Sequence, residues 1–276
     1  MLLPLSPTTH LSFHSIGRGA PILFLHAFPF TSLMYAHAAR NLPPGFRAIL
    51  PDLRGFGEST PITPTTPTTP TTPITIRDFA LDALRILDAF NIHEPAIIVG
   101  TSLGGMIALE LWRTAPHRIA GLILSNTRAN AENAQGRQRR ENLARLTLAK
   151  GSAAYVDTVI GQIFSPALDH ALLQRWAAIM AAQSPTTIAA TACALAHRPD
   201  ATPTLPTITC PTLVIGSELD SITPPDSLRQ LHAAITHTKA RATLTILPAV
   251  GHIPSIEAPD DFSSCVNDFV KSIHTS

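Results

Sequence analysis

A mostly parallel β-sheet wrapped by helices is the architecture that the sequence predicts, and three observations predict it. Short apolar runs alternate with helical patterns along the chain, which is the signature of an α/β layer fold. The strand-like runs are apolar on both sides rather than alternating, as in strands covered on both faces. The length of 276 residues, 45% of them hydrophobic, is enough for a sizeable core and corresponds to one or two domains.

In chain order, Leu11 and Phe13 mark an antiparallel first strand, Gly17-Arg18-Gly19 a turn, and residues 21–25 (PILFL) a continuous apolar strand. Further buried strands are expected at 48–50, 96–99, 121–124, 212–215 and 243–247. Helices are expected over 76–90, which carries Phe79, Leu81, Leu84, Ile86, Leu87 and Phe90, over the Ala/Leu/Gly-rich stretch 103–114, and over 260–273. Two segments break this rhythm. Residues 61–73 read PITPTTPTTPTTP; proline removes backbone donors and favours extended geometry, so a solvated loop is expected there. Residues 127–205 offer no convincing strand but helical patterns at 142–150, 153–164, 167–183 and 186–197, the last announced by Ser184 as N-cap and Pro185 in the first turn. The chain therefore divides into a first core part, 1–126, a helical insertion, 127–205, and a second core part, 206–276.

Twenty Lys and Arg against nineteen Asp and Glu leave a net charge of +1, which argues against nucleic acid or an anionic membrane as the main partner. The 25 prolines are well above the usual ~5%, and much of the excess sits in the one tract. Cys193, Cys210 and Cys265 are too few and scattered for a disulfide framework or a CxxC metal site, and Cys265 shares an apolar helical face with Phe262, Val266 and Phe269. The twelve histidines show no HExxH spacing, so neither metal nor cofactor is expected; His93 and His237 read as solvated. The first residues lack a basic n-region and no run reaches the ~18 apolar residues of a membrane helix, so a reducing, cytoplasmic setting is expected.

The chemistry concentrates in residues 95–109, PAIIVGTSLGGMIAL. Here Gly100-Thr101-Ser102-Leu103-Gly104 is a G-x-S-x-G motif between an apolar strand and a helix. A sharp strand-to-helix turn needs small neighbours, and it exposes the serine hydroxyl at a helix N-terminus. Serine is a weak nucleophile without a base. His252, on the loop after the last strand, is the expected base, and Asp220, just past the 212–215 strand, the acid that orients it; Glu218 is the nearest rival. Oxyanion donors are expected from the backbone N–H of Leu103 and of Phe28, the latter in the loop His26-Ala27-Phe28-Pro29; His26 itself reads as a brace for that loop.

Together, His26-Ala27-Phe28-Pro29, Pro51-Asp52-Leu53-Arg54-Gly55-Phe56-Gly57-Glu58-Ser59, the Ser102 turn, Gly216 to Asp220 and Gly251-His252 resemble the α/β-hydrolase superfamily over nearly the whole chain. The resemblance is greatest to small bacterial carboxylesterases and 3-oxoadipate enol-lactonase-like proteins. It implies an eight-stranded, mostly parallel sheet with residues 127–205 as a helical cap after the sixth strand. It also implies the chain order Ser102, Asp220, His252 for the triad, and scaffold roles for Asp52 and Arg54. Two departures stand out: Ala27 where the family usually has glycine, and the β-branched Thr101 beside the nucleophile. A serine nucleophile argues against the aspartate-dependent dehalogenases and epoxide hydrolases, and Phe28 and Leu103 against the haloperoxidase pattern of Trp and Met.

The resemblance thus implies hydrolysis of a small-molecule carboxylic ester through an acyl-enzyme, by a monomer or homodimer. A lactonase or acyltransferase using the same triad, and a non-catalytic ligand-binding protein, are the alternatives. Phe30, Phe164, Trp176 and Ile253 are expected to line the acyl pocket. The basic run Arg137-Gln138-Arg139-Arg140 reads as a solvated helix face or, alternatively, as the recognition site for a substrate carboxylate.

Overall fold

The computed structural model describes residues 1–62, 74–236 and 241–274; most of the threonine–proline tract, and His237, lie outside them. Eight strands form one sheet: β1 (Leu2–Ser6), β2 (Thr9–Gly17), β3 (Gly19–Leu25), β4 (Gly45–Pro51), β5 (Ala96–Thr101), β6 (Ile119–Ser125), β7 (Thr212–Ser217) and β8 (Ala242–Leu247). Their order is β1-β2-β4-β3-β5-β6-β7-β8. Only β2 runs against its neighbours, pairing antiparallel with β1 and β4; every pairing from β4 to β8 is parallel. The Gly17–Gly19 turn therefore does not close a hairpin. β2 and β3 are consecutive in sequence, but β4 lies between them.

The helices are α1 (Ala36–Arg40), α2 (Ile76–Ala89), α3 (Leu103–Thr114), α4 (Ala134–Lys150), α5 (Ser152–Ile163), α6 (His170–Ala181), α7 (Pro185–Ala196), α8 (Pro225–Thr236), α9 (Pro254–Glu257) and α10 (Pro259–His274). α2 opens with a capping box, Thr75 and Asp78 each accepting from the other's backbone N–H. α4 to α7 form the insertion between β6 and β7. α4 begins eight residues before its expected start, capped by the Asn133 side chain, so the whole basic run lies on this helix. Ser184 is the N-cap of α7 but makes no side-chain cap; its hydroxyl bonds Thr186 instead. Among the described residues no single helix is long and apolar enough to cross a membrane.

Apolar packing fills both faces of the sheet. One cluster joins Leu23, Leu25, Ile98, Leu122 and Val214 to α2, α3 and α8; the other joins Ile22, Phe24, Val99, Ile123 and Ile215 to α10 and the inserted helices. Consecutive residues of β3 and β5 alternate between these clusters, which is why the strands read as unbroken apolar runs. Cys265 is half-buried against the second cluster. Because β3, β5, β6, β7 and β8 are parallel, the loops after their carboxyl ends gather along one edge of the sheet, where ligand sites of such sheets lie. Phe28, Ser102, Asn126, Asp220 and His252 all follow those strand ends.

Candidate active site

Ser102 stands between β5 and α3 with φ 53° and ψ −111°, a strained position for a residue with a Cβ. Its neighbours force and permit this turn. A Cβ on Gly104 would lie 1.9 Å from the Leu25 carbonyl oxygen, and one on Gly100 would lie 2.3 Å from Gly104 backbone. Two further bonds pin the turn: the Ser102 N–H donates to the Ser125 carbonyl (2.9 Å), and the Thr127 hydroxyl donates to the Ser102 carbonyl (2.7 Å). Thr101 has its own reason for being there. Its hydroxyl lies 2.7 Å from the buried Tyr35 hydroxyl, which also donates to Leu25 across the sheet. Burial pushes the Tyr35 phenol well above its ordinary pKa, so it stays a neutral brace.

His252 and Asp220 form a buried pair, Nδ1 to Oδ2 2.8 Å. Asp220 is held from several sides. The Ile222 and Thr223 N–H groups donate to Oδ1; Asn126 Nδ2 (2.8 Å) and the Thr223 hydroxyl donate to Oδ2. Burial alone raises this carboxyl's pKa, but the His252 charge and the hydrogen bonds from His252 and Thr223 outweigh it and leave Asp220 below the usual carboxylate value. An ionised Asp220 facing Nδ1 fixes the imidazole proton there and leaves Nε2 free to accept. Glu218 instead accepts from the Ala249 N–H at the surface.

The backbone around His252 is tied on three consecutive N–H groups. Gly251 and Ile253 donate to the Glu257 carboxylate (3.0 and 3.3 Å), and His252 donates to the Ile163 carbonyl at the end of α5 (2.7 Å). Glu257 also accepts from Ser165, so one side chain links the histidine loop to the insertion.

Ser102 and His252 line one cleft of about 270 Å³ with Phe28, Met106, Arg128, Arg139, Arg140, Leu143, Tyr155 and residues of α5. No hydrogen bond joins the Ser102 hydroxyl to His252 in this arrangement. The Leu103 N–H opens α3 and has no intrahelical acceptor. The Phe28 N–H is likewise not taken up by another group among the described residues. Ala27 does not adopt a positive φ, so alanine fits the loop without strain. His26 braces that loop: its Nε2 accepts from the Leu53 N–H and its Nδ1 faces the Ala27 carbonyl, while burial lowers its pKa and keeps it neutral.

Four expected pocket residues are placed elsewhere. Phe30, Phe164, Trp176 and Ile253 are buried and do not line the cleft; the Phe30 ring packs 6.0 Å from Phe164 and 5.7 Å from Trp176 and joins the insertion to the sheet. Their size and hydrophobicity are used for packing. Asp52 accepts from the Ser32 and Glu58 N–H groups and Arg54 pairs with Asp82, both scaffold roles. Asn126, Glu257, Arg128 and Tyr155 were not anticipated as site residues. Thr223, whose N–H donates to Asp220 three residues earlier in an Asx-type turn, has a local sign that those four lack. A larger groove of about 520 Å³ on α4 includes neither Ser102 nor His252.

Comparisons with known proteins identify the family of the fold. A family model described as alpha/beta hydrolase fold matches residues 20–259. The 3-oxoadipate enol-lactonase 1 of Acinetobacter baylyi is 28% identical over 87% of this chain and 84% of its own length. The pimeloyl-[acyl-carrier protein] methyl ester esterase of Nitrosomonas europaea is 26% identical over 90% of this chain and 95% of its own. Several other curated relatives align over only 32% to 40% of their own length. Among solved structures, a thermophilic esterase from Thermogutta terrifontis, with malate bound, superposes with a TM-score of 0.89 at 28% identity, covering 96% of this chain and 94% of that one.

Proposed function

Since the chain belongs to the alpha/beta hydrolase fold family, we propose that it hydrolyses small carboxylic esters, with Ser102 as nucleophile, His252 as base and Asp220 as the acid that orients it. The observation that carries this reading is the buried Asp220–His252 pair on the wall of the cleft that also holds Ser102 on its strained turn. In the reaction, the Ser102 hydroxyl gives its proton to His252 Nε2 as Oγ bonds to the ester carbonyl carbon. Catalytic hydrogen bonds of this kind often tighten only when substrate engages. The N–H groups of Leu103 and Phe28 hold the resulting oxyanion, each worth about 3 kcal/mol in such sites. His252 then protonates the departing alcohol as the carbon–oxygen bond breaks. Water repeats the cycle on the acyl-serine and releases the acid. The inserted helices act as a cap that narrows access to this centre.

Trapping with a p-nitrophenyl phosphonate tests the assignment. One phosphonyl group is expected on Ser102, located by peptide mass spectrometry, with p-nitrophenyl acetate turnover lost in Ser102→Ala. A label on another residue, or full activity in the variant, would sink the proposal. Lactone opening is the second reading, favoured by the similarity to the Acinetobacter enol-lactonase over 87% of this chain; comparing γ-butyrolactone with ethyl butyrate separates the two.

A further inference from the structure

We propose that the esters this cleft takes carry a second, ionised group, a carboxylate, and that Arg139, with Arg128 and Arg140, binds it. The inference rests on the esterase reading of Ser102 and adds the substrate class. Three arginines line the cleft and no Asp or Glu does. Among the described residues the carboxylate that pairs with these arginines is Glu132, and it is shared: Arg128, Arg140 and Arg198 all reach its Oε1, at 2.6, 2.6 and 3.1 Å. One buried anion thus faces three cations, and Arg139 adds a fourth at the exposed rim without an acidic partner among the described residues. A self-contained structural network would bury matching charge, because uncompensated cations are costly away from water. Here the excess faces the cavity. The Arg128 Nε is buried with no hydrogen-bond partner, and burial, with Arg139 and Arg140 nearby, depresses the Arg128 pKa despite Glu132. The remaining charges of this region are engaged elsewhere or point away: Glu110, beside Arg128 and Arg198, pairs with Arg113; Asp200, near Arg198, is exposed and accepts from the Thr202 N–H; Glu141 pairs with His197, Arg137 donates to the Glu132 carbonyl, and Asp157 is exposed on α5 outside the cleft.

Leu143, Tyr155, Val159 and Ile163 give the same cleft apolar surface, beside the polar Thr158, Gln162 and Ser221. A cleft that holds Ser102, three arginines and apolar surface fits a short chain with an ester at one end and an anion at the other. Guanidinium matches carboxylate in shape and donor geometry, and a cavity of about 270 Å³ suits a compact half-ester of a dicarboxylic acid.

The test compares monomethyl glutarate with dimethyl glutarate, which differ in one charge and one methyl group. The wild type is expected to prefer the monoester in kcat/KM. That preference ratio should fall about 10- to 100-fold in Arg139→Glu, the range a charge-assisted bond supports. It should also shrink as salt rises, since a rim charge is screened over about 8 Å at 0.15 M. Arg139 is exposed, so its replacement leaves folding intact, and Arg229→Glu on α8 repeats the charge change far from the cleft as a control that keeps the ratio. An unchanged ratio in Arg139→Glu, or a wild type that prefers the diester, overturns the proposal while Ser102 labelling still stands. If neither ester reacts and the phosphonate leaves Ser102 unlabelled, the esterase reading falls too, and this inference with it.

Discussion

Asp220 receives hydrogen bonds from Ile222, Thr223, Asn126 and His252 and stays ionised although it is 3% exposed. Replacing it with asparagine keeps the shape but reverses the polarity at one atom. An amide nitrogen facing Nδ1 would donate to it and move the ring proton to Nε2, where it blocks acceptance from Ser102. Asp220→Asn should therefore lower kcat for p-nitrophenyl acetate on the order of 10⁴-fold. Steady-state rates showing more than a tenth of the activity left would remove Asp220 from its role. Thr223→Val deletes one of several donors and should cost tenfold or less. Single residues were legible in the sequence where they punctuate the chain: Ser102 between two glycines, His252 after Gly251, Asp220 just past a strand. Asn126 was not legible, because its partner Asp220 lies 94 residues away and no local pattern records that contact.

At the scale of elements, the loop that carries His252 is positioned by Glu257, one turn further on in α9. Its carboxylate takes the N–H groups on both sides of the histidine and that of Ser165 in the insertion. Glu257→Ala should lower kcat about 10- to 100-fold with a smaller effect on KM, since small displacements of a base are costly for the chemical step. Glu257→Gln keeps one acceptor oxygen and should recover part of the loss; a purely structural role would instead lower both variants' melting temperatures with kcat per folded molecule unchanged. Periodicity located α2, α3 and α10 within one or two residues of their ends. It missed the start of α4, where only Gly136, Ala144 and Thr147 are buried, so no apolar stripe marks the helix. It also missed β1, an edge strand whose residues are all at least partly exposed.

Across the whole molecule the net charge of +1 hides an uneven distribution, with arginines gathered where the insertion meets the sheet. The alternation of strands and helices was readable, but the placement of β4 between β2 and β3 was not, because strand order is decided by packing rather than by local pattern. Glu132 joins three parts of this assembly: Arg128 after β6, Arg140 on α4 and Arg198 after α7. Burial works to raise its pKa, yet the surrounding arginines, led by Arg140, overcome this and hold it at about 2 instead of 4.5. The sign follows from linkage. A carboxylate with a depressed folded pKa contributes stability that is complete above its unfolded pKa and is lost as pH falls through the folded one. Urea midpoints should therefore fall as pH drops from about 4.5 toward about 2. Glu132→Gln should flatten this component and lower the neutral-pH stability by on the order of 3 kcal/mol, since it leaves buried cations unpaired. Because the linked parts belong to the insertion, hydrogen exchange near pH 3 should show α4 and α7 losing protection before β5. Simultaneous loss in all three would mean that the acid-labile point lies in the sheet rather than at Glu132.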